Sequence, residues 1–104
     1  VFNTGSALLD AIVLAVVSME PEGTYGYKIT QDVRQAIEIS ESTLYPVLRR
    51  LQKEECLYVY DLEFAGRNRR YYKITDKGMA QLRLYREEWV NYCSKINSIF
   101  EGVK

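Results

Sequence analysis

The sequence predicts a single α+β domain that is mostly helical, at about two-thirds of the chain. Three observations predict it. Three helical segments fill the first half of the chain, two aromatic runs follow on either side of a short loop, and the C-terminal part repeats apolar residues at alternating spacings of three and four. The predicted order is helix, helix, helix, hairpin, long helix. A chain of 104 residues suits one domain with a modest core.

The first helix is predicted from about Ser6 to Met19, with Thr4 or Ser6 as its N-cap. It contains the most apolar run of the chain, "ALLDAIVLAVVSM". This run is shorter than the roughly 20 residues that a membrane helix needs, and Asp10 interrupts it. No Lys or Arg precedes it, so it also lacks the basic segment of a signal peptide. We therefore expect a buried helix, a cytoplasmic protein and no membrane partner.

The second helix is predicted from about Gly26 to Ile37. The proline and glycine of "EPEGT" end the first helix in a loop. Ile29, Val33 and Ile37 then recur at a spacing of four, which is typical of a buried helix face. A short break at "EIS" separates this helix from the next.

The third helix is predicted from residues 40–42 to about Glu55. Its apolar stripe consists of Leu44, Val47, Leu48 and Leu51. Pro46 lies inside this stripe, although a proline in a helix interior costs about 3 kcal/mol. If Ser42 is the N-cap, the proline comes just after the first turn and removes only the first intrahelical bond. We therefore predict a helix that begins shortly before the proline.

The opposite face of the third helix is a candidate for the DNA major groove. It carries short hydroxyl side chains and a tyrosine at its N-terminus, then basic side chains: Ser42, Thr43, Tyr45, Arg49, Arg50 and Lys53. Short side chains let the backbone approach the bases, and Arg and Lys contact phosphates. For this helix alone, a solvated face with ordinary charges is an equally good interpretation.

Residues 57–75 predict a β-hairpin with a basic tip. Two aromatic runs flank the five residues from Ala65 to Arg69, which include a glycine and an asparagine. The tip and the strand after it supply Arg67, Asn68, Arg69, Arg70 and Lys73. A basic hairpin directly after a helix-turn-helix is a wing, which can contact phosphates or insert an Arg into the minor groove. Helix and hairpin together favour nucleic-acid binding over a tip that serves solubility alone.

The charge distribution agrees with a basic face in the middle of the chain. Basic and acidic residues balance at 14 each, but residues 42–77 carry eight basic and five acidic side chains, against two and six in residues 1–41. For nucleic-acid binding, the local patch matters more than the total charge.

The absence of histidine excludes the Ser-His-Asp and Cys-His nucleophilic pairs and every metal site that uses histidine. We therefore expect no enzyme, no catalytic residue, no metal and no cofactor. Cys56 and Cys93 belong to no CxxC motif, which is typical of a reduced intracellular protein.

The last helix is predicted from Thr75 or Asp76 to about the C-terminus. Its apolar and aromatic residues form a heptad seam: Leu82, Tyr85, Trp89, Tyr92, Ile96, Ile99 and Val103. We expect this seam to join two subunits, because two-fold symmetry would place two DNA-reading helices one DNA turn apart. Packing of the seam on the first helix of the same chain is the alternative.

The aromatic part of the seam is a candidate effector site. Tyr85, Trp89 and Tyr92 are bulky and flat, whereas tight two-stranded seams favour Leu, Ile and Val. Such side chains near a dimer axis can leave a slot for a flat apolar or cationic compound. The alternative is that these rings simply fill the core.

Three stretches resemble the PadR-like winged helix-turn-helix transcriptional regulators, and together they cover nearly the whole chain. They are "YGYKI" (25–29), "STLYPVLRRLQKEECL" (42–57) and "GRNRRYYKITDKG" (66–78). The sequence departs from the family pattern at Cys56, where the family commonly has Gly. The resemblance implies a winged helix-turn-helix domain over residues 1–75 and a dimerisation helix over 76–104.

The resemblance also implies a homodimer that binds a near-palindromic operator in double-stranded DNA and represses transcription. Ser42, Thr43 and Tyr45 would face the groove, and residues 67–70 would form the wing tip. From the first stretch, we expect Tyr25 and Lys28 to contact DNA as well. Some small members of the family are multidrug or phenolic-acid sensors, which implies a small aromatic effector near Trp89. The alternative function is a winged-helix module that binds an acidic protein rather than DNA.

Overall fold

The computed structural model describes residues 4–104. Residues 1–3, the beginning of the predicted 1–75 domain, lie outside the described residues. In chain order the elements are α1 (Ser6–Ser18), β1 (Thr24–Tyr25), α2 (Gly26–Val33), α3 (Glu41–Lys53), β2 (Leu57–Phe64), β3 (Arg67–Ile74) and α4 (Asp76–Glu101). The predicted α+β fold, mostly helical with a long C-terminal helix, is confirmed.

Helix α1 lies at the centre of the core and contacts α2, α3, α4 and β3. Its side chains Val13, Leu14 and Val17 are fully buried. The other elements supply further fully or almost fully buried side chains: Ile29, Val33, Leu44, Leu48, Leu51, Leu57, Tyr72 and Leu82. Burial of each Val or Leu contributes about 1.5–3 kcal/mol, which is why so apolar a helix is stable inside a small domain.

Two predicted helix ends are wrong. The N-cap of α1 is Gly5, with no side-chain cap, rather than Thr4 or Ser6. Helix α2 ends at Val33, where the chain enters a turn in which the Ala36 N–H donates to the Val33 carbonyl. Ile37 still packs against the core from beyond the helix. The spacing of Ile37 from Ile29 and Val33 therefore indicated a buried position and not a longer helix.

Helix α3 begins where the sequence predicts, but its N-cap is Ser40 rather than Ser42. The Ser40 hydroxyl accepts a hydrogen bond from the Thr43 N–H at 3.3 Å. Pro46 is thus the sixth helical residue, where it lacks the N–H that would bond the Ser42 carbonyl. Its ring is exposed. The apolar face of α3 offsets the lost bond, because Leu44 and Leu48 are fully buried.

The wing is a tight hairpin in a three-stranded antiparallel sheet with the order β1-β3-β2. Strands β2 and β3 pair from Leu57 with Ile74 to Phe64 with Arg67. The predicted five-residue loop is wrong: the turn is Ala65-Gly66, with φ of 54° and 79°. Both values lie in the region that two-residue hairpin turns require and that glycine favours. Arg67, Asn68 and Arg69 therefore belong to β3, and the two-residue strand β1 is an element that the sequence did not predict.

Helix α4 begins as predicted, with Thr75 as its N-cap: the Thr75 hydroxyl accepts a hydrogen bond from the Gly78 N–H at 2.9 Å. The helix has 26 residues, of which only Gly78 and Leu82 are buried. The molecule as a whole measures 61 × 26 × 20 Å along its principal axes. Over residues 4–104, every helix is too short or too polar to cross a membrane.

Candidate nucleic-acid interface

A groove of about 940 Å³ lies between α3, the start of α2 and the wing. It brings together seven of the residues that the sequence predicts to contact DNA: Tyr25, Tyr45, Arg49, Arg67, Asn68, Arg69 and Arg70. The groove walls thus combine aromatic rings with guanidinium groups. Such a surface can contact both phosphates and base edges.

The exposed face of α3 begins with a cluster of hydroxyl groups. The Ser40 hydroxyl lies 2.9 Å from that of Ser42 and 3.1 Å from that of Thr43. Further along the helix, Arg49 and Lys53 are exposed on the same face. A helix that presents small hydroxyls at its N-terminus and cations beyond can approach a polyanion closely.

Tyr45 is half-buried and packs against the first residue of α2. A Cβ at Gly26 would lie 2.5 Å from the Tyr45 hydroxyl oxygen, so only glycine leaves room for this ring. Burial raises the pKa of Tyr45 above its ordinary value. Like an ordinary tyrosine, the phenol is neutral at physiological pH and can donate a hydrogen bond to a base or a phosphate.

The wing is held to the α2 side of the groove by an arginine between two rings. The Arg69 guanidinium carbon lies 4.2 Å from the ring centroids of both Tyr25 and Phe64. Each such contact contributes about 0.5–1 kcal/mol at an exposed site. Arg69 thus has a structural position in the wing, besides its predicted role at DNA.

The alternation of β3 separates the other wing residues. Arg67 and Lys73 lie on the outer face of the sheet, and the Lys73 ammonium is 6.0 Å from the Tyr60 ring centroid. Asn68 and Arg70 lie on the face that is covered by the core further along the strand. Arg70 is exposed, and its Nε lies 3.5 Å from the Asp61 carboxylate, a pair that contributes little in solvent.

The structure does not bring six predicted DNA contacts to the groove walls: Lys28, Ser42, Thr43, Arg50, Lys53 and Lys73. Two of these six are engaged in ion pairs. The Lys28 ammonium lies 2.9 Å from both Glu20 and Asp32, and hydrogen bonds to these carboxylates raise the pKa of Lys28. Arg50 pairs with Asp10 and Glu54.

The groove also contains side chains that the sequence analysis did not select. Tyr27 and Phe64 line it, and both are more than half exposed. The signal for Tyr27 is its place on the helix face opposite Ile29 and Val33. Phe64 could be found only through its contact with Arg69, because the sequence does not give the hairpin register.

The predicted α4 seam divides into two parts. Leu82 is buried against the core, and the Tyr85 hydroxyl lies 3.4 Å from an Asp10 oxygen, so this end packs on α1 as the alternative interpretation requires. Further along, Trp89 is 40% exposed and Ile99 is 66% exposed. Val103 lies beyond the end of the helix.

A mainly apolar slot of about 390 Å³ lies between α1 and α4. Leu8, Ile12 and Ala15 line it from α1, and Leu82, Tyr85 and Trp89 from α4. Trp89 stacks on Tyr92, with ring centroids 6.0 Å apart. The volume lies in the range of about 300–1,000 Å³ that is usual for small-molecule sites. Within residues 4–104, no cluster of three His, Cys, Asp or Glu side chains is arranged to hold a metal.

Residues 13–84 match the model of the transcriptional regulator PadR-like family. The structure is similar to that of smu.1704 from Streptococcus mutans UA159, with a TM-score of 0.86 and 38% identity over 99% of this chain and 96% of that one. It is also similar to a PadR-like transcriptional regulator of Bacillus cereus strain ATCC 14579, with a TM-score of 0.84 and 29% identity over 96% of this chain and 98% of that one. A Lysinibacillus sphaericus protein described as uncharacterized is 34% identical over 102 residues, which cover 92% of this chain and 91% of that protein.

Proposed function

Because this chain belongs to the PadR-like family of transcriptional regulators and is a DNA-binding regulator, we propose that it is a homodimeric repressor of a near-palindromic operator. Its resemblance to the family, inferred from three motifs, is confirmed by the match over residues 13–84. Members of the family are transcriptional regulators and not enzymes. A regulator of this kind works where the DNA is, and we propose the cytoplasm.

The observation that carries the proposal is the groove between α3 and the wing. We propose that α3 enters the major groove with Ser42, Thr43 and Tyr45 towards the bases, while Arg49 and Lys53 contact phosphates. The wing would then reach the adjacent phosphates or minor groove through Arg67 and its neighbours Asn68 and Arg70. Lys28 and Arg50 would contribute less, since their charges are already partly neutralised within the protein.

The exposed apolar side chains of α4 support a homodimer. Trp89 and Ile99 belong to the predicted seam on one face of α4 and are 40% and 66% exposed, on a helix that extends about 39 Å. Apolar side chains exposed together in this way are typical of a surface that is covered by a partner. A second copy of α4 would cover them and would relate the two DNA-reading helices by a two-fold axis, which explains a near-palindromic site.

We propose that the slot between α1 and α4 takes a small flat apolar or cationic compound, and that this compound releases the operator. Trp89 and Tyr85 supply aromatic faces that attract such ligands, and apolar side chains of α1 form the opposite wall. At about 390 Å³, the slot suits a small molecule rather than a peptide.

The test is a titration of fluorescently labelled operator DNA from the upstream region of the protein's own gene. Arg49→Ala is expected to weaken binding to every duplex by a similar factor and to reduce the salt dependence of the affinity by about one phosphate contact, since it removes one contact to the DNA backbone. Arg83→Ala on α4 is the matched control, because it also removes an exposed arginine and lies outside the groove. Equal affinities of the two variants would reject the proposed DNA face.

A further inference from the structure

Asp10 is a carboxylate in the middle of the most apolar helix of the protein. It lies in α1 and is only 4% exposed. A buried carboxylate is strongly unfavourable unless charged or hydrogen-bonding groups compensate for the lost water. Its partners therefore determine how the surrounding helices can be arranged.

The two oxygens of this carboxylate contact two different helices. Oδ1 accepts a hydrogen bond within an ion pair from the Arg50 guanidinium of α3. Oδ2 lies 3.4 Å from the hydroxyl of Tyr85 in α4. Arg50 is held in turn by Glu54, whose carboxylate lies 3.3 Å from Nη1. One buried group thus joins α1, α3 and α4.

Both partners of Asp10 adjoin a site that the proposed function uses. Arg50 follows Arg49, which lines the groove beside the wing. Tyr85 lines the apolar slot together with Trp89. Asp10 is therefore the point at which the wall of the slot and the DNA-reading helix contact the same charged group.

We infer that Asp10 is a positioning residue that couples the state of α4 to the orientation of α3. With both contacts made, the carboxylate fixes α3 against α1 and α4 in the arrangement that presents Arg49 to the groove. The Tyr85 contact, at 3.4 Å, is long for a hydrogen bond between a hydroxyl and a carboxylate, so a small displacement of the ring breaks it. A compound in the slot that moves Tyr85 would leave Arg50 as the main partner of Asp10 and would change the orientation of α3 relative to α1.

This inference rests on the proposed function, because it requires α3 to read DNA. The ion pair is not needed for burial alone, since apolar replacements of a buried pair are often as stable as the pair itself. The charged group adds geometric specificity, because an ion pair and a hydrogen bond specify which atoms of α3 and α4 contact Asp10.

The experiment measures operator affinity for the full chain and for Tyr85→Phe, Asp10→Asn and the double variant, with urea denaturation to establish the folded fraction of each. Tyr85→Phe keeps the ring and removes only the hydroxyl. It is expected to weaken operator binding about threefold or more. The double variant should bind no more weakly than Asp10→Asn, because the hydroxyl acts through the carboxylate. Ser18→Ala removes a hydroxyl that donates to the Ala15 carbonyl at the end of α1, outside the groove and the wing; it is the matched control and should bind as the wild type does.

Wild-type affinity of folded Tyr85→Phe would overturn the inference. So would a double variant whose loss of operator affinity equals the product of the losses in the two single variants, because the two groups would then act independently. If Asp10→Asn does not fold, the paired apolar replacement of Asp10→Leu with Arg50→Met takes its place in the same cycle, because it removes the carboxylate without leaving a buried unpaired charge, and the same criteria apply. Arg49→Ala separates this inference from the function on which it rests. Unchanged affinity of Arg49→Ala would reject the DNA face itself, whereas weakened Arg49→Ala with unchanged Tyr85→Phe would reject only the coupling.

Discussion

Glu55→Gly is expected to stabilise the protein, because Glu55 has a left-handed backbone. It follows the C-cap of α3 with a φ of 64°. The Cys56 N–H donates to the Leu51 carbonyl at 2.9 Å and the Glu55 N–H to the Gln52 carbonyl at 3.0 Å, which is the bonding pattern of a helix end that favours glycine. The Thr75 hydroxyl donates to the Glu55 carbonyl at 2.6 Å and fixes this geometry.

The magnitude follows from two opposing terms. A left-handed conformation costs a residue with a Cβ about 1–2 kcal/mol, which glycine avoids. Glycine loses more conformational freedom on folding, by about 0.5–1 kcal/mol. The expected net gain in the free energy of unfolding is about 0.5–1 kcal/mol, and each kcal/mol raises Tm by about 4–8 °C in a domain near this size.

Urea denaturation at one fixed protein concentration measures this gain, because an oligomer's stability depends on concentration. Glu54→Gly is the matched control. Glu54 has a φ of −80°, so glycine relieves no strain there and is expected to destabilise the protein. Equal destabilisation by both glycines would refute the argument that Glu55 is strained.

Three further outcomes are expected. Gly26→Ala should weaken operator binding, because its Cβ would displace Tyr45, whereas Gly102→Ala, with its nearest contact at 3.4 Å, should bind DNA normally in the same titration. Leu48→Ala should lower the free energy of unfolding in urea by about 2–5 kcal/mol, and the half-exposed Leu62→Ala by much less. Burial raises the pKa of the Cys56 thiol, so the folded state keeps a proton that the unfolded state loses. The stability of the wild type should therefore fall relative to Cys56→Ala as the pH rises above about 8.5, and parallel pH profiles would contradict this.

The sequence predicted the elements well wherever a periodic pattern decided them. The apolar run of α1, the apolar stripe of α3 and the N-cap of α4 depend on neighbours in the chain, which the sequence contains. The end of α2 was predicted wrongly because apolar spacing indicates burial, and Ile37 is partly buried although it lies in a turn beyond the helix. The wing turn was placed wrongly because Asn68 is typical of turns but lies in a strand, whereas Ala65 takes the positive φ.

The candidate site was predictable only in part, for a related reason. The exposed position of Arg49 follows from helical periodicity alone. The ion pair of Arg50 depends on Asp10, which is 40 residues away in the sequence. The same holds for the contact of Arg69 with Phe64, which depends on the hairpin register. Tertiary contacts therefore distinguish arginines that are free to meet DNA from arginines that hold the protein together.

The most direct test of the DNA face is the affinity of the wild-type protein for operator and for random duplex at several salt concentrations. Binding through phosphate contacts releases counterions, so the logarithm of the affinity should fall linearly with the logarithm of the salt concentration. We expect this slope together with a preference for the operator at every salt concentration. Equal affinity for both duplexes, or an affinity that salt does not change, would contradict it.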